Sequence, residues 1–216
     1  VSAVDPNRLA ALPREAYLRP TDEVARDLLG RYLVRWIDGE PARVARLVET
    51  EAYLGEGDRA SHAWHGRTTR TAPMYEEPGH AYLYFIYGMY WCLNAVTEEV
   101  GRPCAVLLRG AEPLAGIEGS TDGPGKLCRA FGLDRAFNRT DLTESDLQIT
   151  AGEPVPDERV AVSPRIGVAY AGEWAERPLR WYVVDSPFVS ARRPAGNTRA
   201  RAGRRSPARE LKPEQR

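Results

Sequence analysis

The chain contains no apolar run approaching the ~18 residues that a membrane-spanning helix needs. Its N-terminus also lacks the basic-then-apolar pattern of a secretory signal. Both absences predict a cytoplasmic protein with no membrane partner. Cysteine is scarce: Cys92, Cys104 and Cys128 are odd in number, and no two of them stand in Cys-x-x-Cys spacing. That disfavours a disulfide framework and a structural zinc site alike, so all three are expected to be reduced and mostly buried. His62 and His65 form an His-x-x-His pair, but the Gly, Ser and Arg around them argue for a loop instead of the shared helix face a metal would use. No metal is expected. Lysine is nearly missing, with Lys126 and Lys212 alone.

There is no net charge either, which at first sight disfavours a nucleic-acid partner. The average conceals an asymmetry. From Ala191 onward the chain carries nine basic residues against two acidic ones, leaving 21 basic and 28 acidic residues before it. The tail therefore stands at +7 and the body at −7. With its Pro, Gly and Ser content, the segment 191–216 reads as a disordered basic arm. Contact with phosphates would make its binding fall steeply with salt; a solvated terminus without a partner is the other reading. Residues 1–190 are enough for one core and one domain.

Thr21 is placed to cap a short helix over Asp22–Leu29, ended by Gly30. Tyr32–Asp38 and Arg43–Leu54 read as strands joined through Gly39-Glu40-Pro41. Residues 55–79 show no period and predict a long surface loop, uncommon in a compact domain unless it binds something. An aromatic-rich run follows over Ala81–Val96, then an apolar strand at Cys104–Leu108 and a helix from Gly123-Pro124-Gly125 through Phe131. Further strands are expected at Ile166–Ala169 and Leu179–Val184. Alternating β and α segments are missing, so the fold class is α+β: a mainly antiparallel, curved sheet flanked by helices, with a protruding hairpin.

On the strand before Leu54, alternation puts Leu47, Glu49, Glu51 and Tyr53 on one side. The plain reading is the wet face of an edge strand, but Glu51 sits where the strand feeds the long loop, a place where sites are built. In the next hairpin Tyr82, Tyr84 and Ile86 share a face, and Tyr87-Gly88-Met89-Tyr90 fits the turn. Tyr and Met at an exposed tip forgo roughly 1.5–3 kcal/mol of burial each. Such a tip suits insertion into a base stack; if the segment is a central strand, its rings are core. Leu107 and Arg109 share a face of the following strand, where Arg109 reaches solvent, pairs with a carboxylate, or holds Glu51 ionised and orients a water. Gly123-Pro124-Gly125-Lys126 offers free N–H groups and a cation, a seat for phosphate at Lys126.

The strings ETEAYLG, YLYFIYGMYWCLN, VLLRGAEPLAG, GPGKLC and RIGVAYAGEWAERPLRWYV, in this order between about Arg26 and Ser190, resemble the alkyladenine (3-methyladenine) DNA glycosylase family. The resemblance implies a monomeric base-excision-repair enzyme that needs no cofactor and acts on double-stranded DNA containing damaged purines. It extrudes the base and hydrolyses its bond to the sugar. Glu51 then matches the general base and Glu49 a structural acid. Tyr53, His62 and Tyr84 match the residues that sandwich the base. Tyr87 matches the plug left in the duplex, with Met89 beside it. Asn94 matches the position that crowds the guanine amine, Leu107 lines the pocket, and Arg109 holds the water. Neither lysine falls in these pocket segments, which predicts a glycosylase that does not cut the strand through a Schiff base. Glu76 and Glu77 are unexpected in a loop that would face DNA. Three other readings compete: a non-catalytic nucleic-acid-binding module of related fold, a carbohydrate hydrolase using Glu49 and Glu51, and a mostly helical glycosylase built around Gly123-Pro124-Gly125.

Overall fold

The longest strand, β2 (Glu40–Tyr53), is the axis of the fold in a computed structural model that describes residues 9–190. On one side β2 pairs with β5 (Cys104–Ala115), which continues to β4 (Tyr90–Thr97) and β3 (Ala81–Ile86). On the other, β1 (Tyr32–Ile37) covers the first half of β2 and is followed by β6 (Leu147–Thr150). β8 (Arg180–Val183), itself paired with β7 (Val160–Ser163), takes over along Glu49–Glu51. Among the described residues these eight strands form one sheet, and every pairing is antiparallel. With helices packed against it, the expected α+β class is what the chain adopts.

Helix α1 (Thr21–Asp27) lies on β2 and β5, and helix α2 (Pro124–Phe131) on β4 and β5. Val24 of the first with Leu28 just after it, Leu127 and Phe131 of the second, and Leu33, Leu47, Leu93, Val106 and Leu108 of the sheet make the main core. Burial of each such side chain contributes roughly 1.5–3 kcal/mol. The three cysteines are free thiols, all buried.

Several expectations need correction. Thr21 is not a cap: Pro20 holds that position, and the Thr21 hydroxyl bonds Glu98 at 2.6 Å and Thr97 at 3.0 Å, fastening α1 to the end of β4. The segment Ile166–Ala169 is not a strand, because Gly167 turns the backbone (φ +81°) and the chain runs on into 3-10 turns over Ala169–Ala175. Two four-residue strands, β6 and β7, were not expected, and β5 runs on to Ala115. Residues 55–79 are connecting chain as anticipated, but carry 3-10 turns at Gly55–Gly57, His62–His65 and Ala72–Tyr75. The basic segment from Ala191 lies outside the described residues.

The strand-face arithmetic fails at Leu47 for a physical reason. Across β2 and β5 the partners run Leu47↔Ala111, Glu49↔Gly110 and Thr50↔Leu108, so Val48 is an extra residue on β2 and Arg109 an extra residue on β5. These paired bulges re-aim side chains. Leu47 packs with Ala52 in the core, while Glu49, Glu51 and Tyr53 take the other face.

Candidate active site

One row crosses four strands of the sheet. Glu51 of β2 stands opposite Leu107 of β5, Leu107 opposite Asn94 of β4, and Asn94 opposite Tyr82 of β3. Directly opposed residues share a face, so the sequence-distant acid, amide and ring are neighbours by register. Asn94 is fixed further, its amide donating to the Tyr82 carbonyl at 3.0 Å.

Glu49 and Glu51 are both fully buried, and their surroundings differ. Glu49 accepts from Arg180 Nε (2.6 Å), Arg109 Nε (3.2 Å), the Ser190 hydroxyl (2.8 Å) and the Ser190 N–H (2.6 Å). It is saturated. Glu51 accepts from the Tyr53 hydroxyl and Arg109 Nη1 on one oxygen (2.8 and 3.4 Å) and from the Ile166 N–H on the other (2.8 Å). A carboxylate has about four acceptor positions, so one remains. Burial alone would lower the pKa of the Arg109 guanidinium; the charges of Glu51 and Glu49 hold it above the ordinary arginine value. Burial, then the Glu51 charge, pushes the Tyr53 phenol well up, so Tyr53 donates as a neutral hydroxyl.

Above this row lies a cavity of about 500 Å³, within the ~300–1,000 Å³ typical of small-molecule sites. Tyr53, His62, Tyr84, Asn94, Leu107 and Arg109 all line it, as do Tyr87 and Lys126. Glu51 does not. It sits one layer behind the wall, and its three donors, Tyr53, Arg109 and Ile166, are the wall there. Met89 is also outside the wall, 60% exposed on the hairpin tip.

The aromatic side is held by the 55–79 segment against β3. The His62 and Tyr84 rings meet edge to face with centroids 4.3 Å apart. His62 Nδ1 lies 3.0 Å from the Tyr82 hydroxyl and Nε2 lies 3.4 Å from the Arg70 guanidinium. Arg70 can only donate, so Nε2 accepts and Nδ1 carries the proton. Burial, and then the Arg70 charge, lowers the His62 pKa to about 4. The ring is therefore neutral near pH 7. His65 is exposed and turns its ring to Trp64.

At the tip, Tyr87 (φ +54°) and Gly88 (φ +67°) are both left-handed, and the Met89 N–H closes onto the Ile86 carbonyl at 3.2 Å. Two such residues make the tight turn whose twist matches the strands. Tyr87 is 80% exposed. Opposite, the first turn of α2 forms part of the wall through Pro124, Gly125 and Lys126. A Cβ at Gly125 would come within 2.8 Å of the Tyr90 ring, so only glycine lets the helix approach β4 this closely. Lys126, expected outside the pocket, lines it, with Nζ 3.1 Å from each Asp122 oxygen.

Residues 15–187 match the family described as Methylpurine-DNA glycosylase (MPG). The chain belongs to this family. A protein of Myxococcus xanthus (strain DK1622) is 50% identical over 187 residues, 86% of this chain and 96% of its own. One of Methanocella arvoryzae (strain DSM 22066 / NBRC 105507 / MRE50) is 50% identical over 201 residues, covering 86% and 98%. One of Legionella pneumophila (strain Corby) is 46% identical over 179 residues, covering 83% and 97%. All three bear the name "Putative 3-methyladenine DNA glycosylase". As a member of the methylpurine-DNA glycosylase family the chain is a DNA glycosylase of base excision repair, a hydrolase acting on damaged DNA. That sets aside a module without activity and a carbohydrate hydrolase. An eight-stranded sheet sets aside a mostly helical glycosylase.

Tyr82, Tyr90, Ile166–Val168 and Tyr170, to which the sequence pattern gives no site role, also line the cavity. Gly167 and Gly172, flanking an Ala-rich stretch, were a readable sign of a turning chain there. That Ile166 donates to Glu51 is a backbone contact, and no side-chain pattern encodes it.

Proposed function

We propose that this glycosylase flips alkylated or deaminated purines, 3-methyladenine and hypoxanthine among them, out of double-stranded DNA and hydrolyses the N-glycosidic bond. It works as a cytoplasmic monomer without metal or cofactor. The observation that carries the reading is the buried Glu51 carboxylate, one acceptor position open, behind the wall of an aromatic cavity wide enough for a base.

In this mechanism the extruded purine stacks between Tyr53 and the His62–Tyr84 pair. A cationic alkylated base gains about 0.5–2 kcal/mol from each aromatic face, and the neutral His62 adds no opposing charge. Leu107 packs on its edge and Asn94 crowds the exocyclic amine of a normal guanine. A water reaches the free position of Glu51 at the seam between Tyr53, Arg109 and Ile166. Its oxygen bonds the anomeric carbon as the carbon–nitrogen bond breaks and its electron pair leaves with the base; Glu51 takes the water's proton. Arg109 orients that water. Tyr87, with Met89 beside it, fills the vacated stack, and Lys126 with the N-terminus of α2 receives a flanking phosphate.

Product analysis on duplexes carrying hypoxanthine, 3-methyladenine or 7-methylguanine tests the reading. The expected products are the free purine and an uncut strand with an alkali-labile abasic site. Strand cleavage without alkali, or borohydride trapping through Lys126, would overturn the monofunctional assignment. Failure to release any of the three bases would overturn the substrate class.

A further inference from the structure

A dipeptide from outside the sheet grips the end of β2. Arg165 and Ile166 precede the turn at Gly167, and between them they contact three consecutive β2 residues. The Ile166 N–H donates to the Glu51 carboxylate at 2.8 Å. Arg165 Nη1 donates to the Ala52 carbonyl at 2.8 Å. The Arg165 guanidinium also lies over the Tyr53 ring, 4.7 Å from its centroid. Arg165 is fully buried and forms no part of the cavity wall, so it covers the ring face turned away from the cavity.

What fixes Arg165 is Asp58, which accepts from Nη1 at 2.5 Å and from Nη2 at 2.9 Å, both side chains fully buried. Asp58 in turn accepts from the N–H groups of Leu54 and Ala60, so it folds the chain between Tyr53 and His62 back onto β2. Withdrawing two charges from water is costly. An apolar pair of the same volume would hold a fold as well. The fork of Arg165 does what an apolar group cannot, binding a carboxylate in two places, a backbone carbonyl and a ring face in one fixed geometry.

We infer that Arg165, locked by Asp58, is a positioning residue for base release. It acts through its neighbour's N–H on the water-activating oxygen of Glu51 and through the Tyr53 ring on the wall that stacks the base. The inference rests on the catalytic role proposed for Glu51. Groups facing Glu51 are Tyr53 and Glu49 on its own strand, Arg109 from β5, Tyr84 from β3, Cys92 from β4 and Arg165 itself. Outside the cavity wall, Arg165 is placed to move the acid, through the Ile166 N–H, and the ring, through its covered face.

The test uses the full chain. Single-turnover base release and lesion-duplex affinity are measured for wild type, Arg165→Lys, Arg165→Gln and Glu51→Gln, with Leu142→Ala, a fully buried core residue that is not part of the cavity wall, as the stability control. A displacement on the order of 1 Å at a reacting group costs about a hundredfold in rate. Arg165→Gln is expected to lose roughly that much rate while its affinity changes less than about threefold, with Arg165→Lys intermediate. Leu142→Ala, though less stable, keeps its rate per folded molecule. If Arg165→Gln does not fold, the Lys variant carries the test through its rate-against-affinity split. Wild-type rates in the Arg165 variants, or rate and affinity falling together as in general loosening, overturn the inference. Should Glu51→Gln release base normally, the catalytic reading and this inference fall together; if it is inactive while Arg165→Lys is fully active, the positioning role alone is rejected.

Discussion

Two glutamates two positions apart on one strand face have different surroundings. Glu49 accepts from two buried arginines and from the Ser190 backbone and hydroxyl, with nothing left for a substrate. Removing one partner of a buried charge pair costs about 3–5 kcal/mol, so Glu49→Gln is expected to lose stability on that scale in denaturant unfolding. An unchanged midpoint would contradict the network. His62 yields a pH prediction. Its folded pKa, about 4, lies below the ordinary 6.5, so the unfolded chain binds the extra proton over that interval and the native state loses ground as pH falls from 6.5 through 4. The cost is on the order of 3 kcal/mol. His62→Gln should flatten the fall in melting temperature across that window, and an unaltered slope would show that His62 is not the group responsible. Part of this geometry was legible beforehand: alternation puts Glu51 and Tyr53 on one strand face and Leu107 and Arg109 on another, while their roles came only with the family resemblance. Which glutamate is saturated was not, because it depends on Arg180 and Ser190, more than a hundred residues away.

At the scale of elements, alternation holds wherever pairing is regular and breaks where a residue is inserted. Tyr82, Tyr84 and Ile86 all face the cavity as read, whereas the bulges at Val48 and Arg109 move Leu47 to the core. A bulge leaves no mark in hydropathy, since Val and Arg fit a regular strand as well. The segment Ile166–Ala169 reads as a strand but turns for the opposite reason, an apolar run interrupted by one glycine. The hairpin between β3 and β4 invites a direct prediction. Tyr87 holds a left-handed backbone and an exposed ring, neither of which helps the folded state. Tyr87→Ala should therefore leave stability within about 0.5 kcal/mol and still weaken binding to lesion duplexes and slow flipping. Equal single-turnover rates and affinities would remove the wedge role.

Over the whole molecule, zero net charge divides into an acidic body and a basic tail. On the described surface the acids that seemed misplaced are paired, Glu76 with Arg139 at 3.0 Å and Glu77 with Arg14 at 3.7 Å. Arg59, Arg67 and Arg70 on the cavity's flank stack on Trp64, Tyr75 and Tyr84 and form no ion pair among the described residues. In the proposed duplex complex, cations are available from two places, these arginines and the sequence after Ser190. Deleting residues 191–216 is expected to reduce the slope of log affinity against log salt without altering single-turnover base release, and an identical slope would show that the tail makes no phosphate contact. The account as a whole turns on the acid behind the wall. Glu51→Gln keeps the shape of the side chain and removes its charge, so lesion-duplex affinity should persist while base release falls at least about a hundredfold, the scale of a lost general base. Base release at the wild-type rate in that variant would contradict it.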